Sequence, residues 1–220
     1  MINKDILFGL PIYTIHIDPK SYNKISLLKT IENNYNISNQ RNKFCESDLH
    51  HSYNDGNDER FEKIDYEKIG LTKIYNNIFD DFCNKTLKTL KRFDYFYEIV
   101  NYTASKSKQF MRPHHHLPDY DFAIVHYIQL DEKNPKFTIF HNHNDFAEYI
   151  KFIRSDFENI SDNNSNENSY LYKFFKYRIK EDDLIIFPSV LKHEIPYEDV
   201  EQKEKLRVTV VSNLKITKEK

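Results

Sequence analysis

The sequence predicts an α+β fold, with helices first and then an antiparallel barrel or jelly roll that carries them on its outside. Three observations predict it. Before residue 93, apolar residues recur at helical spacing, as in Leu71, Ile74, Ile78 and Phe82. After it they alternate: Phe122, Ile124, His126, Ile128 and Leu130 share one face, and Ala123, Val125, Tyr127 and Gln129 the other. That order, helices and then strands, belongs to α+β architectures. The third is size: 220 residues bury about 70% of the surface of the unfolded chain, enough for a core without staples. We expect residues 1–92 to form an N-terminal strand and helical support region. Residues 93–220 then form the β-rich core of one integrated domain.

Residues 6–17 read as an opening strand, with Tyr13, Ile15 and Ile17 alternating against Thr14 and His16. Asp18-Pro19 looks like a helix N-cap with proline at the first helical position. Tyr22, Ile25, Leu28 and Ile31 then predict a helix over 19–34. Residues 35–62 are polar and read as a long loop, in which His50 and His51 are expected to be solvated. A second helix spans about 66–92, and Lys85, Lys88, Lys91 and Arg92 form a solvated basic face near its C-terminus.

Strands are predicted at 95–103, 122–130, 136–140, 171–179, 184–188 and 207–214. A short helix is expected at 145–154, and Ser161–Ser169 is a polar, low-complexity stretch. His126, among apolar strand neighbours, reads as a core histidine.

Sixteen Tyr, seventeen Phe and no Trp point to a core of Phe, Tyr, Ile and Leu. Net charge is −2, which argues against broad electrostatic binding to nucleic acid or membrane. Only three glycines exclude a Gly-rich phosphate loop. Cys45 and Cys83 form no CxxC pair and are expected as free thiols. No run reaches the ~18 apolar residues of a membrane span, and Met1–Leu10 lacks the apolar core of a signal peptide. A cytoplasmic protein is the expectation.

Chemistry concentrates in Arg112-Pro113-His114-His115-His116-Leu117-Pro118-Asp119-Tyr120-Asp121. Histidine is the commonest ligand for transition metals. On an extended segment His114 and His116 point the same way. Such a pair needs a distant third ligand, and His193 is the best candidate, after the apolar strand Leu184–Pro188. Two alternatives stay open. Asp119 or Asp121 can serve as an acid ligand, and a His-x-Asp pattern also exists at His143-Asn144-Asp145.

On the last strand Arg207, Thr209, Val211 and Asn213 share one face. Arg207 and Thr209 either line a cavity, where the guanidinium fork suits a carboxylate, or face solvent with Arg207 paired to Glu201 or Glu204.

The order of these pieces resembles the Fe(II)- and 2-oxoglutarate-dependent oxygenases, in particular their small bacterial and phage members. The resemblance rests on Pro113-His114-His115-His116, Ile124-Val125-His126-Tyr127-Ile128, Glu181 to Ile195 with its Phe187-Pro188 and His193, and Arg207-Val208-Thr209. It covers about residues 99–214, with a weaker match at Ile6–Tyr13.

The resemblance implies a double-stranded β-helix core, of the jelly-roll type that cupins share. It implies Fe(II), 2-oxoglutarate as cosubstrate and O2, and a hydroxylated C–H bond in a peptide, amino acid or other small substrate. It also implies Arg207, Thr209 and Tyr102 at the cosubstrate. The chain departs from the usual His-x-Asp/Glu: no carboxylate falls two residues after a tract histidine. His114, His116 and Asp121 instead fit the first cupin motif, and Pro188 with His193 the second. The alternatives to an oxygenase are therefore a cupin-like metalloenzyme that uses no 2-oxoglutarate and a non-catalytic metal-binding β-barrel protein. Residues 35–62 and 141–170 are the expected substrate-gating loops.

Overall fold

The computed structural model describes residues 2–38, 49–87, 94–106, 108–131, 137–143, 173–197 and 205–217. The expected helix at 145–154, the tract Ser161–Ser169, and Cys45, Lys88, Lys91, Arg92, Asp145, Glu201 and Glu204 lie outside the described residues.

The opening strand is in fact a hairpin, β1 (Asn3–Leu7) and β2 (Leu10–His16), with Leu7 paired to Leu10. Phe8 and Gly9 turn the chain, both at positive φ (53° and 83°). Such a primed two-residue turn matches the twist of the strands it joins. Periodicity alone did not reveal the break, because Phe8 continues the apolar run.

Helix α1 spans Lys24–Ser38, starting later than expected. Asp18 accepts from the Lys20 and Ser21 region to close a separate turn. The helix is capped instead by Asn23, whose Oδ1 accepts the Ser26 N–H (3.1 Å). The buried face consequently holds Leu27, Ile31, Asn34 and Tyr35, while Ile25 is 82% exposed. Helix α2 (Leu71–Asp81) buries Leu71, Tyr75 and Phe79 and runs on as a π-helical turn, Phe82–Thr86.

The remaining strands are β3 (His50–His51), β4 (Asp94–Ser105), β5 (Met111–His114), β6 (Phe122–Gln129), β7 (Ile139–His141), β8 (Phe174–Lys176), β9 (Asp183–Pro188), β10 (His193–Ile195) and β11 (Arg207–Thr217). They form two antiparallel sheets. The larger has the order β1-β2-β9-β6-β11-β4-β3 and the smaller β5-β10-β7-β8.

The two faces of β6 and β11 have different fates. Ile124, Ile128, Val208, Val210 and Leu214 pack with Leu27, Ile31, Leu71, Tyr75 and Phe79, so the helices cover the outer face of the larger sheet. Ala123, Val125 and Tyr127 pack with Ile185, Phe187, Phe140 and Leu191, joining the inner face to the smaller sheet. Lys24 ties α1 to the entrance of β9: its Nζ donates to both Asp182 carboxylate oxygens (2.7 and 2.8 Å) and to Glu181 (2.8 Å). Cys83 is a free, buried thiol. Among the described residues no helix is long and apolar enough to cross a membrane.

His126 is a core histidine, fully buried, with Nδ1 2.9 Å from the Tyr75 hydroxyl and its ring edge-on to Tyr22. Burial first, then Lys24 and His16, pulls its pKa down to about 3. In the unfolded chain it would protonate near 6.5. Acid therefore adds protons to the unfolded state first. This contribution to stability is whole above about pH 6.5 and drains away as pH falls toward 3. We expect Tm to drop between pH 6.5 and 4, and His126→Phe to show a shallower drop in a calorimetric pH series. Equal slopes would place the acid sensitivity elsewhere.

Candidate metal centre

Strand pairing brings three histidines together. β10 lies between β5 and β7, and His193 is the cross-strand partner of His114. His116 lies just beyond β5, and its backbone N–H donates to the Ser189 carbonyl (3.1 Å). The ring centroids of His114 and His193 are 4.3 Å apart, those of His116 and His193 5.2 Å. One ring nitrogen from each residue lies within 4.8 Å of the other two.

The hydrogen bonds select the tautomer. Each Nδ1 faces an oxygen acceptor: His114 the Arg112 carbonyl (3.0 Å), His116 the Asn213 Oδ1 (2.7 Å) and His193 the Leu191 carbonyl (3.2 Å). The Nδ1 atoms therefore carry the protons, and the Nε2 lone pairs are left for a ligand. This is the outer-shell arrangement that orients metal-binding imidazoles. The His116 Nε2 is buried and has no hydrogen-bond partner among the described residues. Burial also keeps all three rings neutral, lowering the pKa of His114 and His116 and taking that of His193 well below its usual value. Three neutral imidazoles with inward lone pairs fit a divalent transition metal such as Fe(II).

The acid alternatives stand apart. Asp121 is exposed, and its Oδ2 accepts the Ile216 N–H (2.7 Å), which fastens the start of β6 to β11. This is a correction to its place as an acid ligand: Asp121 belongs neither to the histidine cluster nor to the cavity lining, and one of its oxygens serves the sheet. Asp119 is an exposed residue on the cavity rim. His143 is exposed and outside the triad, and His141 pairs instead with Glu194 (3.4 Å).

The triad lines a cavity of about 330 Å³ between the two sheets, a size that suits a small ligand. Arg207 and Thr209 line the same cavity. Arg207 is 1% exposed, which removes the solvent-facing alternative. Its guanidinium stacks on the Tyr127 ring (5.3 Å) and Nη2 donates to Thr138 Oγ1 (3.4 Å). The Tyr127 hydroxyl is itself hydrogen-bonded to Thr138. Thr209 shares a 2.7 Å bond with Thr103.

Tyr102 needs correction. It points to the helix side of β4, where its hydroxyl accepts from Asn34 Nδ2 (2.7 Å) and meets His50 Nε2 (3.1 Å). Strand alternation gives the cavity face to its neighbours Asn101 and Thr103.

The histidine doublet is not solvated, contrary to the expectation from its polar surroundings. His50 is buried against Phe61 and Tyr102, and His51 lines the cavity from β3. Burial and the nearby His114 and His116 bring the His51 pKa down to about 4. The polar stretch around the doublet held no signal for this, because a pairing between residues some fifty positions apart creates it. Asn213 was legible as a face-mate of Arg207, but not as the acceptor for His116.

That acceptor makes a measurable contribution. Asn213→Leu should weaken metal binding by about 10–100-fold, the usual effect of losing such an outer partner. Asn213→Asp, which keeps an acceptor, should retain most of the affinity. Competition with a chromophoric chelator reads both, and an unchanged Leu variant would remove Asn213 from the centre.

Solved structures similar to this chain include two of named activity. One is an oxidoreductase of the 2OG-Fe(II) oxygenase family from Burkholderia pseudomallei, at 12% identity and a TM-score of 0.38, covering 64% of this chain and 57% of that one. This chain thus spans under two thirds of that protein's length. The other is a Pseudomonas putida prolyl-4-hydroxylase, at 10% identity and a TM-score of 0.46, covering 97% of this chain and 91% of that one. No family profile matches the sequence, and no curated protein matches it.

Proposed function

We propose that the chain is an Fe(II)- and 2-oxoglutarate-dependent oxygenase that hydroxylates a C–H bond of a small-molecule or peptide substrate. In this reading the two facing sheets are the walls of a double-stranded β-helix, with residues 1–92 as support for a core over 93–220. One observation carries it: a neutral three-histidine cluster and a buried Arg207–Thr209 pair open into one cavity. His114, His116 and His193 hold the metal. Bound there, Fe(II) and 2-oxoglutarate together activate O2 for C–H oxidation. Arg207 receives the far carboxylate of 2-oxoglutarate in its planar fork, beside the Thr209 hydroxyl. Tyr127 and Thr138 keep that fork in one orientation, so little side-chain entropy is lost on binding.

A second reading has its own support. His116 stands where such oxygenases carry an acid, which favours a cupin-like metalloenzyme that uses no 2-oxoglutarate. Anaerobic titration separates the two. Added 2-oxoglutarate should perturb the absorption of the Fe(II)-loaded protein, and admission of air should yield succinate without added substrate. Silence on both counts, with metal bound, selects the cupin-like reading.

A further inference from the structure

Once the triad, Arg207 and Thr209 are assigned, the cavity keeps a polar wall with no role. It comes from β3 and β4 at one edge of the larger sheet. His51 and Thr103 are cross-strand partners, and Asn101 is the next residue on that face of β4. Thr103 is already committed to Thr209. Asn101 is only 7% exposed, and its Oδ1 is buried with no hydrogen-bond partner among the described residues. The same holds for the His51 Nδ1. Buried polar atoms are ordinarily paired, so two unpaired ones on one cavity wall point to a ligand that pairs them.

Resting on the oxygenase reading above, we propose that Asn101 and His51 are the substrate-orienting residues and that the substrate presents an uncharged amide to them. The chemistry of the wall selects that group. A carboxamide carries one donor end and one acceptor end, and a neutral imidazole likewise offers one N–H and one lone pair. Of the charged side chains lining the cavity, Arg207 is committed to the cosubstrate and Asp119 is exposed at the rim. A carboxylate would bring only acceptors and leave the Asn101 oxygen without a donor. An ammonium would bring only donors and a charge that nothing on this wall balances. An amide supplies both a donor N–H and an acceptor C=O without a net charge.

The test uses Zn(II)-loaded protein, which cannot turn over, with and without 2-oxoglutarate. The probes are butyramide, N-methylbutyramide, butan-1-ol, butylammonium and butyrate, titrated by saturation-transfer NMR. At least one amide should bind about tenfold more tightly than the other three probes. Preference for butyramide indicates a side-chain carboxamide as the natural group, and preference for N-methylbutyramide a peptide bond.

Asn101→Leu and His51→Phe should each weaken amide binding by about tenfold. Asn101→Asp, which keeps size and shape, should transfer preference to butylammonium. Amides that bind no better than butanol or the ions overturn the proposal, as does unchanged amide binding in Asn101→Leu. A calorimetric titration of 2-oxoglutarate runs beside it. Its failure overturns the oxygenase reading alone, because the amide series on Zn(II) protein without cosubstrate still tests the wall.

Discussion

His193→Ala is expected to abolish stoichiometric metal binding. His193 is 6% exposed and central to the cluster, facing His114 across the β5–β10 pairing and stacked near His116. Its removal leaves two ligands on one short stretch and no third direction to complete the coordination. Affinity should fall by well over the ~100-fold that loss of an outer partner costs. Metal content after dialysis reads the effect directly. His143→Ala, at an exposed residue outside the cluster, is the matched control and should keep full metal content. A His193→Ala protein that retains one metal per chain would remove this residue from the ligand set. The loss should also be independent of proton competition near neutral pH, because burial already holds the His193 pKa well below its usual value. Lowering the pH from 8 to 7 should therefore leave wild-type metal binding nearly unchanged.

The second large effect is at Arg207. Arg207→Ala should weaken 2-oxoglutarate binding by roughly 10–150-fold while leaving the metal bound. That range corresponds to the ~1.5–3 kcal/mol of a hydrogen bond to a charged group. The change also empties a space packed by Tyr127 and hydrogen-bonded by Thr138, so Tm should fall as well. Arg207→Lys separates the two effects. It fills most of the volume and keeps the charge but loses the planar fork, so its affinity should lie between wild type and Ala. Calorimetry with 2-oxoglutarate, beside metal content for each variant, reads both. Loss of metal in place of loss of cosubstrate would give Arg207 a structural role under the triad.

Local rules carry far along this chain. Alternation shows that Arg207, Thr209, Val211 and Asn213 share a face, and β11 indeed sends them to the cavity and Val208, Val210 and Leu214 to the helices. The same rule separates Ile124 and Ile128 from Val125 and Tyr127 on β6. It works because a strand's side-chain period is two whatever the strand pairs with. Helix faces were less legible. Helix α1 begins at Lys24, five residues after the expected start, because Asn23 and not Asp18 makes the cap, and its buried face holds Leu27 beside Ile31 while Ile25 is exposed.

By itself, then, the sequence determined composition, the order of helices before strands, the residues that share a strand face, and a histidine-rich tract with a distant partner. Which histidines meet was left to the pairing of distant strands in the fold. It set His193 against His114 through strand register, turned Tyr102 away from the cavity, tied Asp121 to the Ile216 amide, and carried His51 across to the wall beside Asn101. The reason is physical. Periodicity is a property of neighbours along the chain, whereas a site is made by strand pairings between segments far apart in it. Those pairings are chosen by the burial of whole faces, and no single stretch contains that information.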